Sequence, residues 1–103
     1  MPLRAPLRLA IVAGETSGDL LGRRVLRALR AALPDRQIVA EGVGGAAMQA
    51  EGFESLYPLE RLAVMGLVEP LGRLPELLRI RGSLRARWLA APPDLFLGID
   101  APD

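Results

Sequence analysis

The sequence predicts an α/β fold, a Rossmann-like parallel sheet with flanking helices. Three observations carry that expectation. The segments Leu7–Ala13 and Asp94–Ile99 are rich enough in Leu, Ile, Val and Phe to be buried strands, and nearly continuous apolar character marks strands covered on both faces. Between them, apolar residues recur at helical spacing, first from Leu21 to Ala32 and again from Leu74 to Leu89. A polar turn, A-G-E-T-S-G-D-L at 13–20, joins the first strand to the first helix. In α/β folds such a turn lies at the carboxyl end of the sheet, where ligands bind.

With 103 residues, 50% hydrophobic and 24% charged, the chain suits one soluble globular domain or a piece of one. A formal charge of +1 is too balanced for a general nucleic-acid binder. All 13 basic residues are arginine, which leaves no lysine for Schiff-base or P-loop chemistry. Cysteine and histidine are absent, so disulfides, thiol nucleophiles and thiolate or imidazole metal sites are excluded within these residues. Acid–base work falls to Asp, Glu or Tyr. Arg4 and Arg8 before an apolar run faintly resemble a signal peptide, but the run is short and meets Gly14-Glu15 without a small-residue cleavage pattern. A buried first strand is the expectation. No segment approaches the ~20 apolar residues of a membrane span, and a cytoplasmic protein is expected.

Taken in order, the first helix carries an apolar stripe at Leu21, Val25, Ala28, Leu29 and Ala32, with Arg23, Arg24, Arg27 and Arg30 mostly off it. Asp19 or Ser17 is the expected N-cap, and Pro34-Asp35 stops the helix. Ile38–Ala40 reads as a second strand, completing a βαβ unit. Gly42, Gly44 and Gly45 then punctuate the chain as a tight strand-to-helix turn. Ala46–Ala50 is expected to be a short helix closed by Gly52, and Phe53–Tyr57 a brief extended segment. The chain turns strongly apolar from Leu59. A helix over Leu74–Leu89 ends at Pro92-Pro93, and a buried strand over Asp94–Ile99 delivers Asp100 at its carboxyl end. A three-stranded sheet stopping on the loop after a central strand leaves an edge bare, so the front part of a larger protein is expected.

Several residues point to chemistry. Gly14-Glu15-Thr16-Ser17-Gly18-Asp19 is glycine-bearing but lacks the P-loop lysine and the G-x-G-x-x-G spacing, and its two carboxylates would repel a pyrophosphate. Gly42-Val43-Gly44-Gly45 is a weaker phosphate candidate. Capping explains Ser17 and Asp19; it does not explain a carboxylate at Glu15, the tip of a buried strand. Asp100 sits where partial burial would raise its pKa towards that of a general base, or where an Asx turn would bond it to its own backbone. Asp94 and Asp103 read as turn residues. Leu67, Leu71, Leu74, Leu77, Leu78 and Arg81 recur at three- and four-residue steps, ringed by Arg73, Arg79, Arg85 and Arg87. A core helix with a solvated basic side gives that pattern. So does an apolar wedge, with Val68, for an anionic membrane surface or an acylated phosphosugar.

Four motifs in this order, A-G-E-T-S-G-D at 13–19, M-Q-A-E-G at 48–52, L-A-V-M-G at 62–66 and G-I-D-A-P-D at 98–103, together resemble the amino-terminal part of the lipid-A-disaccharide synthase family. The resemblance covers essentially the whole chain. It implies a GT-B architecture, two Rossmann-like domains facing across a cleft. Residues 1–103 would be the truncated first, acceptor-side domain, and the second, UDP-sugar-binding domain would be absent from this chain. Such enzymes transfer 2,3-diacylglucosamine from its UDP derivative to the 6-hydroxyl of 2,3-diacylglucosamine 1-phosphate, with inversion and loss of UDP. No metal or organic cofactor is implied.

The resemblance makes Asp100 the candidate base. It places Glu15, Ser17 and Asp19 along the cleft, holding acceptor hydroxyls or orienting the base, with Met65 and Glu69 as further pocket residues. It also favours membrane or acyl-chain contact for Leu67, Val68, Leu71, Leu74, Leu77 and Leu78, in an enzyme peripheral to the cytoplasmic face of the inner membrane. The isolated chain would be inactive. The alternatives are another GT-B sugar transferase or a non-catalytic half-Rossmann module that binds a lipid or a partner.

Overall fold

The computed structural model describes residues 5–59 and 74–99, the side chains of 74–77 excepted. The elements run β1 (Leu7–Ala13), α1 (Thr16–Ala32), β2 (Ile38–Gly44), α2 (Ala46–Gln49), β3 (Glu54–Pro58), α3 (Leu74–Ala90) and β4 (Leu95–Ile99). The four strands form a single sheet in the order β3-β2-β1-β4, parallel throughout. That order matches the first four positions, 3-2-1-4, of a doubly wound Rossmann sheet. The expected α/β class is therefore observed, with one strand more than the three anticipated, because the extended segment after Gly52 pairs along β2.

Register separates the two faces of the sheet. Leu9 and Ile11 of β1 stand opposite Leu95 and Leu97 of β4, and Ala13 opposite Ile99. Leu7 and Leu9 stand opposite Ile38 and Ala40 of β2. These residues share one face, and α1 lies on it: a Cβ on Gly18 would come within 3.3 Å of both Ala13 and Ile99 side chains. On the other face Glu41 of β2 and Phe96 of β4 flank Ala10, and α3 packs there through Trp88. Its indole meets the Phe96 ring edge-on at 5.7 Å. Ile11, Leu26, Met48 and Val43 are fully buried between these layers.

Several local expectations are corrected. The buried face of α1 is Gly18, Asp19, Gly22 and Leu26, not the stripe through Leu21, Ala28 and Ala32. Two glycines and a carboxylate face inward because α1 approaches the sheet and α2 too closely for larger side chains. Its N-cap is Glu15, in extended conformation and without a side-chain capping bond, rather than Ser17 or Asp19. β2 runs on through Gly44, so Gly42 and Gly44 belong to a strand and only Gly45 to the turn. At Gly42 φ is +146°, where the β2–β3 register also slips; a glycine-borne bulge explains both. β4 is not buried. Only Ile99 is covered, since β4 is the edge of the described sheet and α1 and α3 lie mainly over its neighbours.

The α3 layer is pinned to β2 by one carboxylate. Arg87 grips Glu41 with its guanidinium fork, Nε to Oε2 at 2.7 Å and Nη2 to Oε1 at 3.0 Å. The Trp88 Nε1–H donates to the same Oε2 at 2.8 Å. The Arg87 hydrogen bond holds the Glu41 carboxyl below its ordinary value, against the opposing effect of burial, and the Trp88 bond and the charges of Arg87 and Arg8 add to it. The stabilisation is complete above the ordinary carboxylate pKa. As pH falls through the lowered folded value it is lost, because the unfolded state then binds the extra proton. Glu41→Gln should lower unfolding free energy at neutral pH by about 1 kcal/mol, Arg87 being half solvated. It should also flatten the acid side of the stability–pH curve measured by denaturant titration. An unchanged acid limb would exclude the pin.

Candidate functional site

The carboxyl end of the sheet gathers the residues of interest. The Gly14 N–H donates to the Ile99 carbonyl at 3.1 Å, tying the β1–α1 turn to the tip of β4. Glu15 follows with φ −159° and ψ 176°, an ordinary extended residue that turns the chain into α1. Its carbonyl accepts from the amides of Gly18 and Asp19 at 2.9 and 3.1 Å, and its side chain is exposed. Ser17 is exposed in the first turn of the same helix. A carboxylate and a hydroxyl thus stand at the mouth of the sheet beside the end of β4, the chemistry that binds sugar or polyol hydroxyls.

Asp19 does something different. It is 5% exposed, and both oxygens are engaged by the next crossover of the fold. Oδ1 accepts from the backbone amides of Gly45 at 2.8 Å and Met48 at 3.0 Å, and Oδ2 accepts from Ala47 at 3.0 Å. The carboxylate is the N-terminal cap of α2, supplied from a neighbouring helix in place of a local side chain. Gly45 is required there, since a Cβ would lie 2.6 Å from Oδ2. The weaker phosphate candidate, 42–45, is thereby accounted for. Its Gly45 amide, together with those of Ala47 and Met48 in α2, is already taken by the Asp19 carboxylate. The Gly44 amide is engaged as well, donating to Ser55 Oγ at 3.2 Å.

Beside this turn lies a hollow of about 220 Å³ lined by Gly44, Gln49, Ser55, Leu56, Tyr57, Pro58 and Leu59. Ser55 fixes its floor, its hydroxyl lying 2.9 Å from the Gly44 carbonyl and 2.7 Å from that of Tyr57. Ser55 and Tyr57 carry no motif that would single them out in the sequence, and Gln49 stands out only as part of M-Q-A-E-G. Their grouping arises only from β2–β3 pairing. Of the other expected site residues, Asp100, Met65, Glu69, Leu67, Val68 and Leu71 lie outside the described residues. Leu74 and Leu77 belong to α3, with side chains outside the description. Leu78 is 54% exposed on α3, off the face carried by the buried Ile80 and Leu84. Asp94, expected as a turn residue, lies in the bend just before β4: its Oδ2 accepts from the Arg8 amide at 2.8 Å and its own amide donates to the Arg8 carbonyl.

The sequence was compared with known proteins. The family model described as lipid-A-disaccharide synthetase matches residues 9–103. A lipid-A-disaccharide synthase of Saccharophagus degradans is 62% identical over 96 residues, covering 93% of this chain and 24% of that protein. One from Salmonella arizonae is 56% identical over 103 residues, 100% of this chain and 26% of the relative. One from Azotobacter vinelandii is 59% identical over 102 residues, 94% of this chain and 25% of the relative. The chain spans about a quarter of the length of the curated relatives it matches.

The Asp19 cap makes a direct prediction. Asp19→Ala leaves three amides without their acceptor and should cost about 2–4 kcal/mol in urea unfolding. Asp19→Asn, whose amide oxygen still serves Gly45 and Met48, should cost about half as much. Equal stability of Asp19→Ala and the parent would show that the cap contributes nothing.

Proposed function

The chain belongs to the lipid-A-disaccharide synthetase family, and from that membership we propose that it forms the amino-terminal, acceptor-side domain of an inverting glycosyltransferase of lipid A biosynthesis. The complete enzyme would join UDP-2,3-diacylglucosamine to 2,3-diacylglucosamine 1-phosphate. The observation that carries the reading is the match from Leu9 to Asp103, which takes in both the Glu15–Asp19 turn and Asp100. A second domain would hold the UDP, and residues 1–103 alone would be inactive.

In this reading Asp100 is the base. It takes the proton of the acceptor 6-hydroxyl as that oxygen forms its bond to the anomeric carbon. The bond from that carbon to the UDP oxygen breaks with its electron pair, and UDP departs from the opposite face. What supports Asp100 is its place in the chain directly after Ile99, whose carbonyl is bonded to the Gly14 amide next to Glu15. Glu15 and Ser17 would hold acceptor hydroxyls. Asp19 would serve as a positioning residue, ordering the Gly45–Met48 turn without touching substrate. Met65 and Glu69 are proposed to line the pocket, and Leu67, Val68, Leu71, Leu74, Leu77 and Leu78 to meet acyl chains or the cytoplasmic face of the inner membrane. Among the described residues no helix is long and apolar enough to cross a membrane, so a peripheral contact is the form proposed.

Two measurements test the reading in the complete enzyme. Asp100→Asn should lower turnover by about 10²–10⁴-fold, the usual worth of a general base, while UDP-sugar binding stays nearly intact. Activity within about tenfold of the parent, or ~1.4 kcal/mol of barrier, would remove Asp100 from the role. Replacing Val68, Leu71, Leu74 and Leu78 together by serine should release the enzyme from sedimented membranes. Unchanged retention would remove the membrane role from those residues.

A further inference from the structure

The hollow at the ends of β2 and β3 takes no part in the Asp19 cap or the Glu15 turn. Its origin lies in the β2–β3 ladder. Gly42 pairs with Ser55 and Val43 with Tyr57, so Leu56 is the extra residue of a bulge, a device that re-aims side chains beside functional sites. Ser55 stitches the irregular end together. Its Oγ accepts from the Gly44 amide at 3.2 Å and lies 2.7 Å from the Tyr57 carbonyl. The polar groups left at the rim are uncommitted. The Gln49 Nε2 is 3.5 Å from the Gly44 carbonyl, at the weak limit of bonding, and the Tyr57 phenol has no partner among the described residues. Leu56, Pro58 and Leu59 supply the apolar part of the lining.

That lining sorts ligands by chemistry. It carries no charged side chain, so nothing in it offsets the desolvation of a phosphate. Its volume of about 220 Å³ is the room of roughly seven waters at ~30 Å³ each, enough for an amide and several methylenes but far too little for a whole fatty chain. A carboxamide both donates and accepts and so complements the C=O and N–H of an amide, whereas an ester offers no donor. Position narrows the choice further. Ile99 pairs with Ala13, Val12 with Val43 and Gly44 with Pro58, so the strand ends stand in a row, with β3 about 14 Å from β4 at the usual strand spacing. A pyranose whose 6-hydroxyl meets the base proposed at Asp100 reaches the hollow only with what hangs from its far side. Carbon 2 is that side, since it lies across the ring from carbon 5, which bears the hydroxymethyl group. We propose that the hollow seats the 2-acylamide of the acceptor sugar, with Gln49 and Tyr57 bonding the amide and Leu56, Pro58 and Leu59 covering its first methylenes. The proposal rests on the transferase reading and adds which substituent of the acceptor is recognised, and where.

Steady-state kinetics of the complete enzyme test it, with Gln49→Leu and Tyr57→Phe combined and both diacylglucosamine substrates varied in turn. The acceptor KM should rise about tenfold, while turnover and the donor KM stay at parent values, the mark of lost ground-state binding. The rise should be the same for acceptors with short and with long N-acyl chains. An unchanged acceptor KM overturns the proposal. So does a rise in both KM values, which marks a loosened fold, or in the donor KM alone, which places the hollow on the donor. A rise confined to long chains also overturns it. A change of substrate serves where the variant misfolds: the parent should show a KM about tenfold higher for the acceptor analogue with a 2-O-acyl ester in place of the amide, and Gln49→Leu should erase that preference. A parent that treats ester and amide alike overturns the proposal. The two readings fail separately. A parent that does not turn over diacylglucosamine 1-phosphate sinks the transferase reading and this proposal with it, whereas an active parent whose acceptor KM the variant leaves unmoved sinks this proposal alone.

Discussion

Three backbone amides converge on one buried carboxylate, and the geometry of the sheet's carboxyl end depends on that convergence. Asp19 sits in the first turn of α1 and caps α2 across 26 to 29 residues of chain. Two successive crossovers are thereby locked side by side at the end where ligands of α/β sheets bind. The bond also decides what the site is not. An α/β turn with free glycine amides is an anion cradle, and here the protein fills that cradle with its own side chain. The Gly44, Gly45, Ala47 and Met48 amides are therefore already engaged, while Glu15 in the neighbouring β1–α1 loop remains exposed.

The limits of the sequence reading follow from the same physics. Strand positions are legible as aliphatic runs, and β1 and β4 fall within a residue of expectation, although only β1 is covered on both faces. The helix from 74 was legible from periodicity and its Pro92-Pro93 stop. The inward face of α1 was not, because hydropathy ranks leucine above glycine, whereas close packing against Met48, Ala13 and Ile99 selects Gly18 and Gly22. Leu21 and Ala28 look inward-facing in the sequence for the converse reason: hydropathy records what a side chain prefers and not whether a partner is present. The misreading of Gly42 has a single cause, since glycine at positive φ serves a turn and a strand bulge equally well. At the site, the loop and Glu15 could be read from residue type and position. The role of Asp19 could not, because its partners are backbone amides, which leave no trace in residue identity.

Arginine is put to two uses that composition alone does not separate. Arg87 meets Glu41 with two parallel bonds, a fork that lysine cannot make, and fastens α3 to one face. On the other face Arg27 and Arg23 meet Glu51 and steady α1 against the chain between α2 and β3. Each layer of helices is thus held by a carboxylate that is only partly solvated. Pairs of this kind contribute modestly to stability, but they fix helix register along the strands, and with it the directions in which the ends of β1 and β4 leave the sheet.

The carboxylates of the fold differ in how many donors each already holds. Glu41 and Asp19 each take three donors over both oxygens, and a carboxylate so engaged is a poor partner for an incoming hydroxyl, because binding would have to displace a bond already made. Glu15 differs from them. Its backbone is fixed by Gly18 and Asp19 amides on its carbonyl and by the adjoining Gly14–Ile99 bond, while its side chain stays in solvent without a capping duty. A group held by its backbone and free at its tip gives a preorganised contact with little ordering cost on binding. Hydrogen bonding thus separates two carboxylates of one loop: Asp19 is engaged by three backbone amides, while the Glu15 tip stays in solvent.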